Sequence, residues 1–282
     1  MWTQLPHSRV RHCAAAIGLL IAGVLACGEL PATMPPSTAV SMTDTAGAPA
    51  TLAPTSRPFD SGWVPVVDGM ERRSLDAAFE SLGLIEHVVV FRIVPERFVL
   101  RVRYAPALPA FLSAWDPQAR LLINANFFDE NNTAQGLIVS DGQYFGQSYD
   151  GFGGMLGVSP DGAVRIRSLL DEPFQPDEAL SQAIQGFPML IRPGAPPYAG
   201  DDTARARRTV AAQDGEGRLL VFVAPAGLFT LADLAGWLSG GDFGLVAALN
   251  LDGGGSTGYW AGSNDQVDSL TPVPAVLAVY DR

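Results

Sequence analysis

Residues 247–260 read AALNLDGGGSTGYW, an apolar strand that runs directly into Asn250, Asp252 and three consecutive glycines. A carboxylate at the end of a buried strand is held by rigid backbone, and glycines let the chain turn and let a ligand approach the main chain. The N–H groups of such a turn can bind an anion or a sugar oxygen, and Ser256 and Thr257 add hydroxyl groups. Taken alone, the stretch equally fits a tight turn in which Asp252 caps local N–H groups.

A second predicted buried strand ends in polar groups at residues 122–130, LINANFFDE. Burying the side chains of Asn124 and Asn126 beside a core strand is costly unless they are hydrogen-bonded, so such groups often point into a site. Two acids, Asp129 and Glu130, follow the two phenylalanines. The alternative interpretation is that the asparagines pin neighbouring loops and that the phenylalanines belong to the core.

Arginines cluster at residues 204–213, ARARRTVAAQ, in a chain that is otherwise strongly acidic. Arg208 begins a predicted strand, and its planar guanidinium suits a two-pronged grip on phosphate or carboxylate. Arg205 and Arg207 are instead expected to form surface salt bridges with the aspartates at positions 201 and 202.

The composition of the 282-residue chain excludes several classes of chemistry. It has 18 basic and 29 acidic residues, a net charge of -11, and no lysine, which excludes a lysine Schiff base. Both cysteines, Cys13 and Cys27, lie in the N-terminal segment, and beyond that segment the chain has a single histidine, His87. A cysteine nucleophile, an internal disulfide and a Cys/His zinc site are therefore excluded for the folded part. The acidic balance also disfavours nucleic acid, whose recognition relies on clustered positive charge.

The N-terminus resembles a bacterial lipoprotein signal. Two arginines precede an apolar run at residues 13–27, which is too short to span a membrane and ends in VLAC, similar to a lipobox. We therefore expect a signal peptide at residues 1–26, lipidation of Cys27, and a disordered tether rich in Pro, Thr and Ala at residues 27–58. The expected location is the bacterial cell envelope, with the lipid holding the protein at the membrane. The alternatives are an uncleaved signal anchor, or an ordinary signal in which Cys27 is incidental.

Residues 59–282 are predicted to form an α+β fold, whose core is a mixed, mainly antiparallel β-sheet with a few flanking helices. Turn signals of the Asp-Gly type separate short strands and indicate hairpins. The predicted hairpins join residues 87–94 to 97–104, 137–140 to 143–146, 155–158 to 164–168, and 208–213 to 218–224. The predicted helices cover residues 106–119, 176–185 and 230–239, the last with Thr230 as N-cap, and further strands cover residues 120–125, 245–251 and 275–280.

Four segments carry a family resemblance. They are NANFFD at 124–129, RT at 208–209, GLFTLADLA at 227–235 and NLDGGGS at 250–256. In this order they resemble the phosphodiester glycosidases, the bacterial relatives of the lysosomal uncovering enzyme, which removes N-acetylglucosamine from a mannose-6-phosphate diester. The resemblance covers about residues 63–282 and implies hydrolysis of a sugar-1-phosphodiester.

The residue types and the resemblance together give a candidate site. Glycoside hydrolysis normally needs two carboxyl groups, and Asp252 is the first choice because it is the acid most rigidly placed; its partner is Asp129 or Glu130. Oxygens of Asp and Asn suit a divalent cation such as Ca²⁺ or Mg²⁺, although no spacing fixes one, so the sequence leaves open whether the site needs a metal. The candidates for binding substrate and phosphate are Asn124, Asn126, Arg208, Thr209, Asn250, Gly253, Gly254, Gly255 and Ser256.

The expected partners are a carbohydrate or sugar-phosphodiester substrate and, through the lipid, the membrane. One main alternative remains open: a non-catalytic lipoprotein on the same fold that binds glycans or the cell envelope, with Phe128, Tyr259 and Trp260 stacking on sugars. A secreted serine hydrolase is disfavoured because it would have to use His87, which lies in a predicted hairpin.

Overall fold

The computed structural model describes residues 58–282. The predicted signal peptide, the predicted lipidation site Cys27 and all but the last residue of the predicted tether lie outside this part of the chain. None of the helices within residues 58–282 has the length and apolar character needed to cross a membrane. The strands and the α-helix are, in chain order, β1 (Val64–Val67), β2 (Met70–Phe79), β3 (Leu84–Ile93), β4 (Phe98–Tyr104), β5 (Leu121–Asn124), β6 (Phe127–Phe128), β7 (Ala134–Gln135), β8 (Ile138–Ser140), β9 (Gln143–Phe145), β10 (Gly154–Val158), β11 (Val164–Ser168), β12 (Gln182–Gly186), β13 (Met189–Ile191), β14 (Ala206–Asp214), β15 (Leu219–Phe229), α1 (Leu231–Gly240), β16 (Leu245–Asn250), β17 (Tyr259–Trp260), β18 (Gln266–Val267) and β19 (Ala275–Asp281).

The strands form three larger sheets and one two-stranded ribbon. The first sheet has seven strands in the order β1-β2-β3-β15-β14-β16-β13. The second has the order β11-β10-β12-β8-β9, and the third has the order β18-β17-β5-β19-β4, while β6 pairs with β7 alone. All the strand pairs within residues 58–282 are antiparallel.

The main hydrophobic core lies between the seven-stranded sheet and the other two sheets. It contains Phe91 and Leu249 from the first sheet, Leu156 from the second, and Ile123 and Leu277 from the third, all essentially inaccessible to solvent. Burying such side chains is the dominant favourable term in folding, and truncating one typically costs about 2–5 kcal/mol. The first sheet is thereby fixed against the strand β5 that carries part of the candidate site.

The helix α1 covers the opposite face of the seven-stranded sheet. The Thr230 hydroxyl accepts a hydrogen bond from the Asp233 amide at 3.0 Å, as an N-cap does. Leu234 and Leu238, one turn apart, pack against Phe222. Because both faces of this sheet are covered, the middle of β14 (residues 210–212) and most of β16 (residues 245–249) are apolar, and polar side chains lie towards the strand ends.

The observed architecture is dominated by β-structure, with one α-helix within residues 58–282, which corrects the prediction of a few flanking helices. Residues 106–119 contain only the one-turn 3-10 helix Leu112–Ala114, because three prolines interrupt the segment. The predicted helix 176–185 is also wrong. Residues Gln182–Gly186 are fully buried and pair with β10 and β8, so tertiary burial overrides local helix propensity.

Three of the four predicted hairpins are present. In one of them Asp141 and Gly142 adopt φ values of 47° and 77°, as a two-residue turn between β8 and β9 requires. The fourth is wrong: β3 pairs with β2 and β15, whereas β4 pairs with β19 in another sheet. A one-turn 3-10 helix at Pro95–Arg97 redirects the chain from the first sheet to the third.

Candidate active site

The candidate site lies where the chain leaves β16 and passes from the first sheet to the third. The amide of Leu251 donates a hydrogen bond to the Thr209 carbonyl in the first sheet (2.9 Å). The amide of Asp252 donates to the Ala125 carbonyl, which directly follows β5 of the third sheet (3.1 Å). The backbone of Asp252 is therefore fixed at the junction of two sheets.

Asn124 locks this junction. Its side-chain oxygen accepts hydrogen bonds from the Thr209 hydroxyl (2.7 Å) and the Gly258 amide (3.3 Å). Its side-chain nitrogen donates to the Asp252 carbonyl at 2.5 Å, and the residue is 1% exposed. The structure thus uses Asn124 and Thr209 to hold the loop that carries Asp252, which is the loop-pinning role that the sequence left open.

The carboxyl group of Asp252 is partly buried, and its pKa is raised towards neutral pH. Its Oδ1 accepts a hydrogen bond from the Gly253 amide at 2.8 Å. Burial raises the pKa of Asp252 from 3.8 to about 6, against the opposing effects of the Ser256 hydroxyl and the Gly253 amide. A carboxyl group with this pKa exchanges a proton readily near neutral pH, which suits acid or base catalysis.

The glycine loop packs closely against the strand β14. A Cβ atom at Gly253 would lie 2.8 Å from the Arg207 carbonyl, so only glycine fits there without displacement. Gly254 has a φ of 59° and has no neighbouring atom within 4 Å of the position of a Cβ, so its backbone is open to a ligand. Gly255 accepts the amides of Leu270 and Thr271, which ties the loop to the segment before β19.

Asn126 and Asn250 each keep one unpaired acceptor. The side-chain nitrogen of Asn126 donates to the Leu137 carbonyl (3.2 Å), and that of Asn250 donates to the Phe187 carbonyl (2.7 Å). A backbone carbonyl can only accept, so each amide must turn its oxygen away from it. Both oxygens are buried and have no partner within residues 58–282. Unpaired buried acceptors cost about 1–3 kcal/mol each and are typical of sites that a ligand completes.

Of the three clustered arginines, Arg207 is the one with unpaired donors. Its Nη2 donates to the Asp268 carbonyl (3.2 Å), while Nε and Nη1 are buried with no partner in the described part of the chain. Burial lowers the pKa of Arg207, and the charge of Glu86 opposes this effect. Arg205 pairs with Asp233 at 2.9 Å. The expected surface pairing of Arg205 and Arg207 with the aspartates at 201 and 202 is therefore wrong.

Arg208 is occupied by backbone oxygens. Its Nη2 donates to the Ala204 carbonyl (2.7 Å), and its Nε donates to the Phe229 carbonyl (3.3 Å). Asp202 lies 3.9 Å away, and burial lowers the pKa of Arg208 while Asp202 raises it. Arg208 was predicted to bind the phosphate. In the structure its guanidinium instead holds the segment before β14 in place.

Asp129 and Glu130 lie at the tip of the β6–β7 ribbon. Asp129 Oδ1 accepts the amides of Asn131 and Thr133, each at 2.9 Å, and so caps the turn. Glu130 is exposed. Neither acid forms a hydrogen bond with Asp252 among the described residues, and a catalytic pair needs none, because its two carboxyl groups stand about 5–10 Å apart.

Four aromatic rings border the site, and none of them was predicted from the sequence. Phe127 stacks on Phe187 with centroids 4.6 Å apart, and Tyr149 stacks on Phe152 at 4.7 Å. Burial and the negative charge of Asp252 raise the pKa of Tyr149, which places this ring near the carboxyl group. We call Phe127, Tyr149, Phe152 and Phe187 the aromatic wall. The signal that could have revealed it is the glycine-flanked pair of aromatics at residues 146–154, GQSYDGFGG.

The described residues near Asp252 support neither a serine-hydrolase triad nor a carboxylate-rich metal site. Residues 254–258 match the G-x-S-x-G pattern around Ser256, but His87 pairs with Asp76 and stacks on Phe59 instead of meeting this serine. Within residues 58–282, no three His, Cys, Asp or Glu side chains form a group that could hold a metal ion. Oxygens available to a hard cation would be those of Asp252 and the unpaired amides of Asn126 and Asn250.

Surface cavities alone do not identify the site. Cavities of about 280 and 320 Å³ lie along β4, and their linings include Arg101 and Val99 but not Asp252. The raised pKa of Asp252 and the unpaired polar groups around it are more informative than cavity size, because they indicate where chemistry or a ligand is accommodated.

Comparison with known proteins gives a consistent assignment. A family model described as phosphodiester glycosidase matches residues 117–280. No curated protein matches the chain significantly. The fold is similar to the zebrafish N-acetylglucosamine-1-phosphodiester alpha-N-acetylglucosaminidase catalytic domain, auto-inhibited by its pro-peptide, with a TM-score of 0.63, 18% identity, and coverage of 80% of this chain and 88% of that one.

Two further solved structures share the fold. A hypothetical protein from Synechocystis has a TM-score of 0.55 and 18% identity, covering 81% of this chain and 64% of that one. A putative exported protein from Burkholderia pseudomallei has a TM-score of 0.53 and 14% identity, covering 70% of this chain and 74% of that one.

Proposed function

The chain belongs to the phosphodiester glycosidase family, and from this premise we propose that it hydrolyses sugar-1-phosphodiesters, separating the sugar from the phosphate. The observation that supports this function most is the state of Asp252. It is partly buried at a rigid sheet junction, and its pKa is raised to about 6. A carboxyl group in such a state is suited to proton transfer at the operating pH of most enzymes.

Asp252 acts as the general base in this proposal. An ordinary glycoside releases an alcohol and needs an acid to protonate it, whereas a sugar-1-phosphodiester releases a phosphomonoester, whose second pKa is about 6. That group departs as an anion without a proton. One carboxylate then suffices for the proposed hydrolysis.

The reaction balances with water as the only co-substrate. Asp252 takes a proton from a water molecule as the water oxygen bonds to C1 of the sugar. The bond between C1 and the bridging oxygen breaks, and its electron pair stays on that oxygen, which leaves with the phosphate. The products are the free sugar and a phosphomonoester.

The positive end of the site lies beneath the glycine loop. Arg207, whose backbone carbonyl packs against Gly253, carries a guanidinium with unpaired donors, and Gly254 presents open backbone. Preorganised donors of this kind stabilise negative charge that develops on a departing phosphate. Arg208 contributes indirectly, since its bonds to Ala204 and Phe229 fix the strand that carries Arg207.

The alternative function is a non-catalytic glycan-binding lipoprotein. The aromatic wall would serve sugar binding equally well without any hydrolysis. Both functions are tested by incubating the full chain with methyl phosphodiesters of N-acetylglucosamine, glucose, galactose and mannose, with the matching 1-phosphates as controls. Release of free sugar from a diester supports hydrolysis, whereas binding without release supports the alternative.

We further propose that the protein is exported and tethered to the membrane. The sequence supports this with a signal-like segment at residues 1–26, Cys27 as the lipidated residue, and a Pro/Thr-rich tether ahead of the folded domain. Replacing Cys27 with serine is expected to move the protein out of the membrane fraction or block its processing. A Cys27→Ser variant that still incorporates labelled lipid would contradict the tether.

A further inference from the structure

The aromatic wall presents two exposed ring faces near the end of β16, where the Asn250 side chain donates to the Phe187 carbonyl. Phe152 is 49% exposed and Phe187 is 41% exposed, although large apolar side chains are usually buried. Their planes meet at 74° with centroids 6.0 Å apart, so the two rings form a corner. Each exposed ring is backed by a stacked partner, which is Tyr149 for Phe152 and Phe127 for Phe187.

A buried glutamine holds this corner in place. Gln185 is fully buried, and its Oε1 accepts the amides of Leu137 (2.9 Å) and Tyr149 (3.0 Å). Its Nε2 donates to the Ser148 hydroxyl (2.7 Å), and the Tyr149 hydroxyl donates to the Gln135 carbonyl (2.7 Å). The segment that carries Phe152 is thus held by three hydrogen bonds, two from Gln185 and one to the Gln135 carbonyl. A preorganised surface of this kind binds a ligand without a large ordering cost.

The surroundings of the corner fit one chemical class of ligand. A pyranose has an apolar C–H face and a rim of hydroxyl donors. The exposed rings match the face, and the unpaired side-chain oxygens of Asn126 and Asn250 match the rim. The Asn250 side chain donates a hydrogen bond to the carbonyl of Phe187 itself, so this amide and the aromatic rings lie in the same cluster of residues.

We propose that Phe152 and Phe187 form a stacking subsite for the pyranose ring of the substrate, with the anomeric carbon directed towards Asp252. This assignment rests on the proposed function for the role of Asp252, but the stacking itself does not require turnover. It places the neutral sugar on the aromatic wall and the phosphate on the side of Gly253 and Arg207.

The test uses the full chain and neutral probes that carry no phosphate. Methyl glycosides of N-acetylglucosamine, glucose, galactose and mannose are titrated by calorimetry or ligand-observed NMR, and the glycoside bound best is kept. Phe152→Ala and Phe187→Ala are compared with Phe59→Ala, an exposed phenylalanine that stacks on His87 outside the wall. Phe152→Leu and Phe152→Trp separate stacking from simple apolar contact.

Loss of one exposed ring is expected to weaken glycoside binding by about 5- to 30-fold. Phe152→Leu should behave like Phe152→Ala, Phe152→Trp should bind like the wild type, and Phe59→Ala should be unchanged. The proposal is overturned if no glycoside binds, or if the wall variants bind as well as the wild type. Wall-dependent binding without hydrolysis of any diester would retain the subsite and reject the proposed function instead.

Discussion

Replacing Asp252 with asparagine is expected to abolish turnover while making the folded domain more stable. The asparagine keeps the shape of the side chain and an oxygen that can accept the Gly253 amide. It cannot take a proton from water. For a positioned general base, this loss typically lowers kcat by two to four orders of magnitude, or about 3–5 kcal/mol of transition-state stabilisation.

The gain in stability follows from the pKa of Asp252. Burial raises the pKa from 3.8 to about 6, and about two pKa units correspond to a cost of up to about 3 kcal/mol for ionising the folded form. Because the folded pKa is the higher one, the contribution of the carboxyl group to stability is fully present below about pH 3.8 and is lost as the pH rises through about 6. An asparagine side chain does not ionise, so the variant does not lose this stability as the pH rises.

The assay pairs thermal melting with sugar release at several pH values. At pH 7 the Asp252→Asn variant should melt several degrees above the wild type, since 1 kcal/mol shifts the melting temperature by about 2–4 °C for a domain of this size. The difference should shrink as the pH is lowered towards 4. The opposite result, a destabilised variant with normal activity per folded molecule, would identify Asp252 as a structural cap and refute the argument.

Three further predictions follow from the same contacts. Below pH 6, kcat/KM should rise about tenfold per pH unit and then level off as Asp252 ionises, whereas a fall above pH 6 would assign it the role of an acid. Asp129→Asn, which keeps the oxygen that caps the turn, should leave kcat within about threefold, and a loss of a hundredfold or more would restore Asp129 as the catalytic partner. Arg207→Met, which keeps most of the packing, should weaken inhibition by inorganic phosphate by about tenfold or more; an unchanged inhibition constant would place the phosphate elsewhere.

Local signals in the sequence predicted local structure well. The Asp141-Gly142 turn, the hairpin between β14 and β15 and the Thr230 cap each depend on a few adjacent residues, and the structure has all of them. The partners of β3 and β4 were not predictable in this way. β3 pairs with the preceding β2 but also with β15, and β4 pairs with β19; both β15 and β19 lie more than a hundred residues further along the chain. A short turn at Pro95–Arg97 looks the same in the sequence whether it forms a hairpin or leads to another sheet.

Some features of the candidate site could likewise be predicted from local sequence, and others could not. The position of Asp252 could be predicted, because an apolar strand followed by glycines fixes a carboxylate whatever the sheet around it. The distinction between Arg207 and Arg208 could not, since it depends on an irregularity in the pairing of β14 with β15 between Ala206 and Arg208. The aromatic wall was also hidden, because Phe127, Tyr149 and Phe187 come from separate segments that only the tertiary fold assembles.

The position of bond cleavage tests the central claim most directly. A methyl phosphodiester of the sugar that the chain hydrolyses is incubated with it in water labelled with oxygen-18, and the methyl phosphate product is analysed by mass spectrometry. Attack of water at C1, as the proposed glycosidase mechanism predicts, leaves the methyl phosphate without label. Oxygen-18 in the phosphoryl group would mean attack at phosphorus, and the chain would then be a phosphodiesterase and not a glycosidase.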